Sequence, residues 1–328
     1  MPDQRDTLAL ALARGVRVEG RWLFLEAAPL PESALREAAC EQGFRPTFLA
    51  LERAGYDACA RVDEAGFDGA ALLCARVRKV NERHLARAWN ALRPGGTLVV
   101  AGDKAAGIAP LRKLVAARTP LTDSLAKHHA TAFWAVRPPD APDWPVPASR
   151  NLVDGWHVPA GGFSAAGPDA ASRLLAGHLK GRPLGRTADL GAGWGFLAAE
   201  AARRGRTESV ELFEADHVAL GAARENLAGV VDAHFHWHDV AGEPIERRFD
   251  TVVMNPPFHA GAGGAGRAAT PALGQAFIAR AAEALRPGGR LLMVANRNLP
   301  YERTLAERFR SWKPLEEAEG FKVLEAVR

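Results

Sequence analysis

The sequence predicts an α/β protein built from two copies of one parallel, helix-flanked β-sheet. Short apolar runs alternate with helical patterns in both halves of the 328-residue chain, as in folds whose parallel strands are joined by helices. The segment Ala91–Val99 returns as Ala284–Leu292, and Phe67-Asp68 returns as Phe249-Asp250. Segments that repeat in the same order indicate a duplicated fold.

Apolar runs predict the strands, and longer segments that end at glycine or proline predict the helices. In the first half, the predicted strands are Trp22–Leu25, Phe48–Leu51, Gly69–Leu73 and Thr97–Val100, and the predicted helices are Glu32–Gln42 and Asn81–Leu92. In the second half, the predicted strands are Thr187–Leu190, Val210–Glu214, Ala233–Trp237, Thr251–Met254 and Arg290–Val294. The predicted helices there are Asp169–Leu179, Phe196–Arg204, Val218–Leu227 and Leu273–Leu285.

A proline-rich segment separates the two halves. Arg137–Pro147 contains five prolines in 11 residues, and such a segment forms neither a helix nor an inner strand. We therefore predict a first domain at residues 1–137, an extended linker at 138–150 and a second domain at 151–328.

The composition, 48% hydrophobic and 24% charged residues, is that of an ordinary soluble globular protein. The sequence has no signal peptide and no apolar run of membrane-spanning length, and its three cysteines fit no zinc template. We therefore expect a cytoplasmic protein without a membrane partner. The net charge of +4 lies entirely in residues 1–150. This excess favours a polyanionic partner such as nucleic acid, although a solvated surface explains it equally well.

The functional site is predicted around Asn255-Pro256-Pro257-Phe258-His259, which follows an apolar strand. The prolines lack backbone donors, so carbonyl groups there stay free to accept hydrogen bonds. The Asn255 side chain adds an acceptor, and Phe258 adds a flat apolar face. Such a site suits a planar group carrying an NH₂, as in a nucleobase or a side-chain amide. The alternative is a simple strand exit with Phe258 in the core.

Asp189-Leu190-Gly191-Ala192-Gly193-Trp194-Gly195 is a strand-to-helix turn with alternate glycines. These glycines let a ligand approach the backbone at a helix N-terminus, although tight strand–helix packing would also use them. The dinucleotide fingerprint requires a further glycine where this chain has Phe196, which disfavours a nicotinamide oxidoreductase and leaves an adenosyl-amino-acid ligand. Glu214 is placed to bind ribose hydroxyls. Asp239 is placed to accept from an adenine amine or simply to open a turn.

The equivalent stretch of the first half has lost these motifs. It carries Leu73-Cys74-Ala75-Arg76 in place of Asn-Pro-Pro-Phe and has no glycine turn. Basic residues cluster there instead, among them Arg76, Arg78 and Lys79, and predict phosphate contacts with RNA or a solvated helix face. In the second half, His234, His236 and His238 share one strand face, but no ligand at suitable spacing completes a metal site, so no metal is expected.

Together these motifs resemble the class I S-adenosylmethionine-dependent methyltransferases. More closely, they resemble the ribosomal RNA small subunit methyltransferase C family and its large-subunit relative, methyltransferase G. Asp189–Gly195 is similar to their motif I, Glu214 to their ribose-binding acid, Asp239 to their adenine contact and Asn255–Phe258 to their amino-methylation motif. The resemblance implies two tandem Rossmann-like domains, each a seven-stranded mixed sheet flanked by helices, with the first degenerate. Glu214 departs from the commoner aspartate.

The resemblance also implies the reaction, which is methyl transfer from S-adenosylmethionine to the exocyclic N2 of a guanine in 16S ribosomal RNA. The expected substrate is the 30S subunit and the expected enzyme a monomer. Asn255 and Pro256 would hold the amine, Phe258 would stack on the base, and His259 would contact the RNA. The alternative substrates are guanine N2 in 23S ribosomal RNA, adenine N6 and glutamine N5, although glutamine methyltransferases usually have tyrosine where this chain has Phe258. A further alternative is a non-catalytic RNA-binding assembly factor.

Overall fold

The computed structural model describes residues 3–31, 35–162, 164–229, 232–246, 249–257 and 271–328. The chain divides into two compact units, Met1–Ser149 and Arg150–Arg328. Each unit contains a seven-stranded sheet. In the described parts of the chain, none of the helices has the length and apolar character needed to cross a bilayer.

The first unit alternates strands and helices. Its strands are β1 (Trp22–Leu25), β2 (Ala39–Glu41), β3 (Ala58–Cys59), β4 (Phe67–Leu73), β5 (Leu92–Asp103), β6 (Asp123–Lys127) and β7 (Ala130–Val136). Its helices are α1 (Gln4–Arg14), α2 (Arg45–Arg53), α3 (Arg78–Ala91) and α4 (Ile108–Ala116). The strand order is β3-β2-β1-β4-β5-β7-β6, and β7 runs antiparallel to both of its neighbours.

The second unit repeats this architecture after a hairpin. Its strands are β8 (Arg150–Val153), β9 (Trp156–Pro159), β10 (Pro183–Leu190), β11 (Arg206–Glu214), β12 (Ala233–Trp237), β13 (Phe249–Met254), β14 (Leu285–Asn296), β15 (Ser311–Ala318) and β16 (Phe321–Val327). Its helices are α5 (Ala170–Gly177), α6 (Phe196–Arg204), α7 (His217–Asn226), α8 (Pro271–Ala284) and α9 (Glu302–Arg308). The sheet order is β12-β11-β10-β13-β14-β16-β15, with β8 and β9 forming a separate pair.

The predicted fold class is confirmed, and the topology locates the site. Strand order reverses between the neighbouring strands β10 and β13. In open α/β sheets, ligands bind beyond the carboxyl ends of the strands at such a reversal. The glycine turn follows β10 and Asn255 follows β13, so both sequence motifs lie at this point.

Both faces of the second sheet are buried, which holds these strand ends in place. Met254 packs on one face with Ile278 of α8, and Val253 packs on the other with Leu175 of α5. Successive strand residues face opposite sides, so a continuous apolar run suits a strand covered on both faces. Each fully buried side chain of this size contributes about 1.5–3 kcal/mol. Asn255 therefore directly follows a strand that is held firmly in the core.

Two predictions in the first unit are wrong. Glu32–Gln42 was predicted as a helix, but Ala39–Glu41 forms β2 and pairs with β1, because parallel pairing outweighs local helix propensity. Phe48–Leu51 was predicted as a strand but lies in α2. Its buried residues are Phe48 and Leu51, three positions apart, which is the spacing of a helix face that a short apolar run conceals.

The proline-rich segment is anchored on the first unit. The Asn90 side chain of α3 donates to the Trp144 carbonyl at 2.9 Å and accepts from its N–H at 2.7 Å. Trp89 Nε1 donates to the Pro142 carbonyl at 3.2 Å. The Arg118 guanidinium lies 4.0 Å from the centre of the Trp144 ring. These contacts fix the segment up to Trp144 against α3.

Candidate active site

The turn after β10 depends on its three glycines. Gly191, Gly193 and Gly195 have φ of +72°, +56° and +85°, a region that favours glycine. A Cβ on Gly195 would lie 2.7 Å from Leu227 Cδ1, so packing also excludes a side chain there. At Gly193 a Cβ would meet no heavy atom within 4 Å. The turn therefore exposes backbone on an open side, where a ligand can approach.

Glu214 ends β11 and lies against this turn. Its Oε2 accepts from the Gly193 N–H at 2.7 Å, and its Oε1 accepts from the Asp216 N–H at 2.7 Å. Burial raises the pKa of Glu214 to about 7. A carboxylate offers about four lone-pair sites, so this one keeps capacity to accept from a hydroxyl donor. The arrangement suits a vicinal diol beside the glycine turn.

Asp189 is the most deeply buried acid of the site. Asp189 is 1% exposed, and its Oδ2 accepts from the Ala198 N–H at 2.9 Å. Burial raises its pKa to about 7. Its Oδ1 is buried and has no hydrogen-bond partner among the described residues. A buried oxygen of this kind is normally satisfied by a ligand or water.

Asp239 follows β12, the neighbour of β11. Its Oδ1 accepts from the Ala241 N–H at 3.1 Å, and its own N–H donates to Glu243 Oε2 at 2.8 Å. The turn-opening role suggested by the sequence is therefore present. The adjacent His238 N–H donates to the Glu214 carbonyl at 2.9 Å, so Asp239 and Glu214 lie at adjoining strand ends.

Asn255 is held by the first turn of α5. Its Nδ2 donates to Asp169 Oδ1 at 3.3 Å and to Ser172 Oγ at 3.0 Å. Asp169 is itself the N-cap of α5 and accepts from the Ser172 N–H at 3.0 Å. Pro256 is buried. A Cβ on Gly191 would lie 3.9 Å from Pro257 Cδ, so the Asn-Pro-Pro stretch and the glycine turn lie side by side.

Several predicted substrate contacts stay predictions. Phe258 and His259 lie outside the described residues. In the first unit, Arg76, Arg78 and Lys79 are exposed. Arg76 lies 3.4 Å from Asp103, and Arg78 lies 2.6 Å from Glu82. Exposed ion pairs of this kind are weak, so both arginines are available to phosphates.

Asn226 is a site residue that the sequence interpretation missed. It is 9% exposed, and its amide bonds both the N–H and the carbonyl of His157 at 2.8 Å. The same Nδ2 donates to the Trp194 carbonyl within the glycine turn at 2.8 Å. Asn226 therefore ties the β8–β9 hairpin to the turn. The available signal was weak: Asn226 follows Arg224-Glu225 near the end of a predicted helix, where polar residues are ordinary.

The alternating histidines have separate partners. His236 Nε2 lies 3.0 Å from Glu211 Oε2, and the ring stacks on Phe213 with centroids 4.5 Å apart. His234 pairs with Asp232 at 3.4 Å. Within the described ranges, no group of three or more His, Cys, Asp or Glu residues could hold a metal ion.

The fold and the site define a class I methyltransferase, and comparison with known proteins gives the family. Residues 156–325 match the methyltransferase small domain family. The ribosomal RNA small subunit methyltransferase C of Pseudomonas aeruginosa is 32% identical over 281 residues, covering 82% of this chain and 81% of that protein. The protein of the same name from Stutzerimonas stutzeri is 31% identical, with 80% of each chain covered. The chain therefore belongs to the ribosomal RNA small subunit methyltransferase C family.

A solved structure matches both units. The T. thermophilus 16S rRNA N2 G1207 methyltransferase, in complex with AdoMet and guanosine, superposes with a TM-score of 0.82 at 28% identity. The match covers 99% of this chain and 92% of that chain. The likeness therefore extends over the duplicated architecture as a whole.

Proposed function

We propose that this protein transfers a methyl group from S-adenosylmethionine to the exocyclic N2 amine of a guanine in 16S ribosomal RNA. The observation that carries the proposal is the meeting of two motifs at the strand reversal: Asn255-Pro256-Pro257 after β13 beside the glycine turn after β10. One motif suits a planar amine and the other an adenosyl ligand. The relatives named for this activity, and the solved relative with AdoMet and guanosine, support it.

The residues present fit S-adenosylmethionine. Gly191, Gly193 and Gly195 would admit the ligand to the backbone, Glu214 would accept from the ribose hydroxyls, and Asp239 would contact the adenine. The unpartnered Asp189 Oδ1 gives a further polar group to be satisfied. When bound, the cofactor would supply an electrophilic methyl group to the amine nitrogen, with the C–S electron pair remaining on sulfur and one N–H proton passing to water.

Orientation of the amine is the chemical task of Asn255 and Pro256. Asn255 Oδ1 and the Pro256 carbonyl would each accept a hydrogen bond from one N–H of the guanine amine and so direct its nitrogen toward the methyl group. Orientation of this kind supplies about 7–11 kcal/mol in the most favourable cases. No covalent intermediate on the protein is required, because the transferred methyl is already activated.

The RNA must present the guanine outside its helix. A base is methylated at this depth only when it is flipped or single-stranded. We infer that Phe258 would stack on it, a contact worth about 1–3 kcal/mol, and that His259 would contact the RNA. Arg76, Arg78 and Lys79 of the first unit would position the RNA through phosphates. We take the 30S subunit in the cytosol as the substrate and the enzyme as a monomer.

Transfer of labelled methyl groups to unmodified 30S subunits, 50S subunits and free ribosomal RNAs tests this function. Label on 16S RNA at guanine N2 is the expected result. Label on 23S RNA would move the substrate to the large subunit, and label on a protein would indicate glutamine as the target. Substituting Asn255→Ala should abolish transfer and leave cofactor affinity unchanged. A loss of cofactor affinity in this variant would contradict the role given to Asn255.

A further inference from the structure

The Asn255 amide uses all of its donor capacity inside the protein. A side-chain amide nitrogen carries two hydrogens, and the structure gives this one two acceptors, Asp169 Oδ1 at 3.3 Å and Ser172 Oγ at 3.0 Å. A carboxylate accepts and does not donate. The nitrogen end of the amide must therefore face Asp169, and the oxygen end must face the opposite way.

The two acceptors are themselves held in place. Asp169 Oδ1 also accepts from the Ser172 N–H, and the Ser164 hydroxyl lies 3.3 Å from Asp169 Oδ2. Ser172 is 6% exposed on the buried face of α5. An N-cap aspartate and a helix serine need no further partner to stabilise α5, yet both are directed at Asn255 across more than 80 positions of sequence.

We propose that Asp169 and Ser172 are positioning residues that lock the Asn255 amide with its oxygen toward the substrate amine. The inference rests on the proposed function. The lock makes residue 255 an acceptor only, so the site favours substrates that donate N–H bonds over those that present a carbonyl. Without it, the amide could rotate by half a turn and offer a donor to an amine that is itself a donor.

A reciprocal exchange of the two groups tests the lock. Asn255→Asp places a second carboxylate against Asp169, and like charges at hydrogen-bond distance repel strongly, so turnover should fall by about 100-fold or more. Adding Asp169→Asn supplies an amide that donates to the carboxylate of residue 255, whose other oxygen stays an acceptor for the substrate. The N-cap bond from the Ser172 N–H is lost in this arrangement, because Asp169 Oδ1 accepts both bonds in the wild type. The double variant should regain about 10-fold or more over Asn255→Asp. No regain, with cofactor affinity intact, would overturn the proposal.

Substitutions at the two acceptors separate positioning from helix capping. Asp169→Asn keeps both the N-cap and an acceptor oxygen, whereas Asp169→Ser keeps the N-cap but is too short to reach Asn255. Ser172→Ala removes one acceptor and favours the helix. We expect kcat to fall by about 5- to 20-fold in Asp169→Ser and Ser172→Ala and by less than about 3-fold in Asp169→Asn. Wild-type kcat in both of the first two variants would contradict the lock.

A substrate-free measurement keeps this result distinct from the proposed function. If the wild-type protein methylates no RNA, the proposed function fails, and the lock is read from NMR of the Asn255 side-chain amide. Its protons should exchange slowly with water in the wild type and about 10-fold faster in Ser172→Ala. Equal exchange in the two proteins would overturn the lock, whatever the substrate.

Discussion

The two units share one strand order, but the residues at their strand ends differ: those of the first unit bond within the protein, and those of the second leave backbone and acceptors open. By strand register, Leu25 of β1 corresponds to Leu190 of β10, so Glu26 occupies the position of Gly191. Glu26 adopts φ +51°, and its carboxylate lies 3.2 Å from His84 Nδ1. Burial alone would raise the pKa of Glu26, but contact with His84 and the charges of Arg83 and Arg87 hold it below its usual value. A paired side chain therefore stands where the second unit has bare backbone.

The position proposed to bind ribose, Glu214, differs between the units by the exchange of a carboxylate for an amide. Gln42 corresponds to Glu214, and its Oε1 accepts from the Phe44 N–H at 2.8 Å, as Glu214 Oε1 accepts from Asp216. The second hydrogen bond of each side chain runs in the opposite direction: Gln42 Nε2 donates to the Ala27 carbonyl at 2.7 Å, whereas Glu214 Oε2 accepts from the Gly193 N–H. The Gln42 amide therefore has a donor where Glu214 has a second acceptor oxygen, and one oxygen alone cannot accept from a diol as two can.

At the position of Pro256, too, the first unit uses its acceptor within the protein. Cys74 corresponds to Pro256, and its carbonyl accepts from Gln4 Nε2 at 3.1 Å. The sheet survives these changes because its core residues and its site residues are different side chains. At these three positions the first unit has groups bonded within the protein where the second unit has open backbone and acceptors, although the strand order is the same in both.

Giving the second unit the glutamate of the first should have the largest effect. In Gly191→Glu, a side chain enters at φ +72°, with its Cβ 3.0 Å from the Phe277 ring. We expect cofactor affinity to fall by about 100-fold or more, since strain of about 1–3 kcal/mol adds to obstruction of the site. Titration calorimetry measures it. Gly288→Glu, at φ +77° in open space, is the matched control and should lose stability only. Unchanged affinity in Gly191→Glu would break the comparison.

Exchanging the ribose-position residues should have a smaller effect. Glu214→Gln turns a donor toward the Gly193 N–H, and a lost bond to a charged group is worth about 1.5–3 kcal/mol, so cofactor affinity should fall by about 10- to 100-fold. The reverse change, Gln42→Glu, places a carboxylate against the Ala27 carbonyl and should lower the melting temperature without altering cofactor affinity. Equal affinity in the wild type and Glu214→Gln would show that ribose binding lies elsewhere.

The pH dependence of stability should differ between the units. Asp189 and Glu214 have pKa values raised to about 7, so the folded state binds their protons more tightly than the unfolded state. The free energy of unfolding should therefore fall as pH rises from about 4 to about 7, by roughly 1 kcal/mol or more. The first unit has Phe24 and Gln42 at these positions and should not share this loss.

Hydrogen exchange of the β10 and β1 peptides at pH 5 and pH 8, corrected for intrinsic rates, measures this difference. The β10 peptide should lose protection at the higher pH in the cofactor-free protein. Asp189→Asn serves as the control and should reduce the loss. A β1 peptide that loses as much protection as β10 would contradict the assignment to Asp189 and Glu214.

The sequence predicted what depends on local pattern. The run Ala233–Trp237 forms β12 with the predicted bounds. The turn at Gly191–Gly195 and the position of Glu214 at the end of β11 were also predicted, because both follow from neighbouring residues, and their binding roles stay predictions. The lock on Asn255 was not predictable, since Asp169 and Ser172 lie 86 and 83 residues away. The conformation of Glu26 was also hidden, because glutamate gives no sign of positive φ. The prediction for Phe48–Leu51 failed because four apolar residues fit either period, and that for Glu32–Gln42 failed because pairing with β1 outweighs local propensity.

The bond network of Asn226 sets the minimum length of a portable catalytic unit. The hairpin that it grips begins at Arg150, which lies 2.9 Å from Glu225, the residue beside Asn226. A fragment or graft that starts at Asp169, the N-cap of α5, would keep every strand of the main sheet and the contacts of Asn255. It would leave the Asn226 amide without His157, so that, among the described residues, the Trp194 carbonyl is the hydrogen-bond partner that remains. Anyone transplanting this chemistry should therefore cut ahead of residue 150.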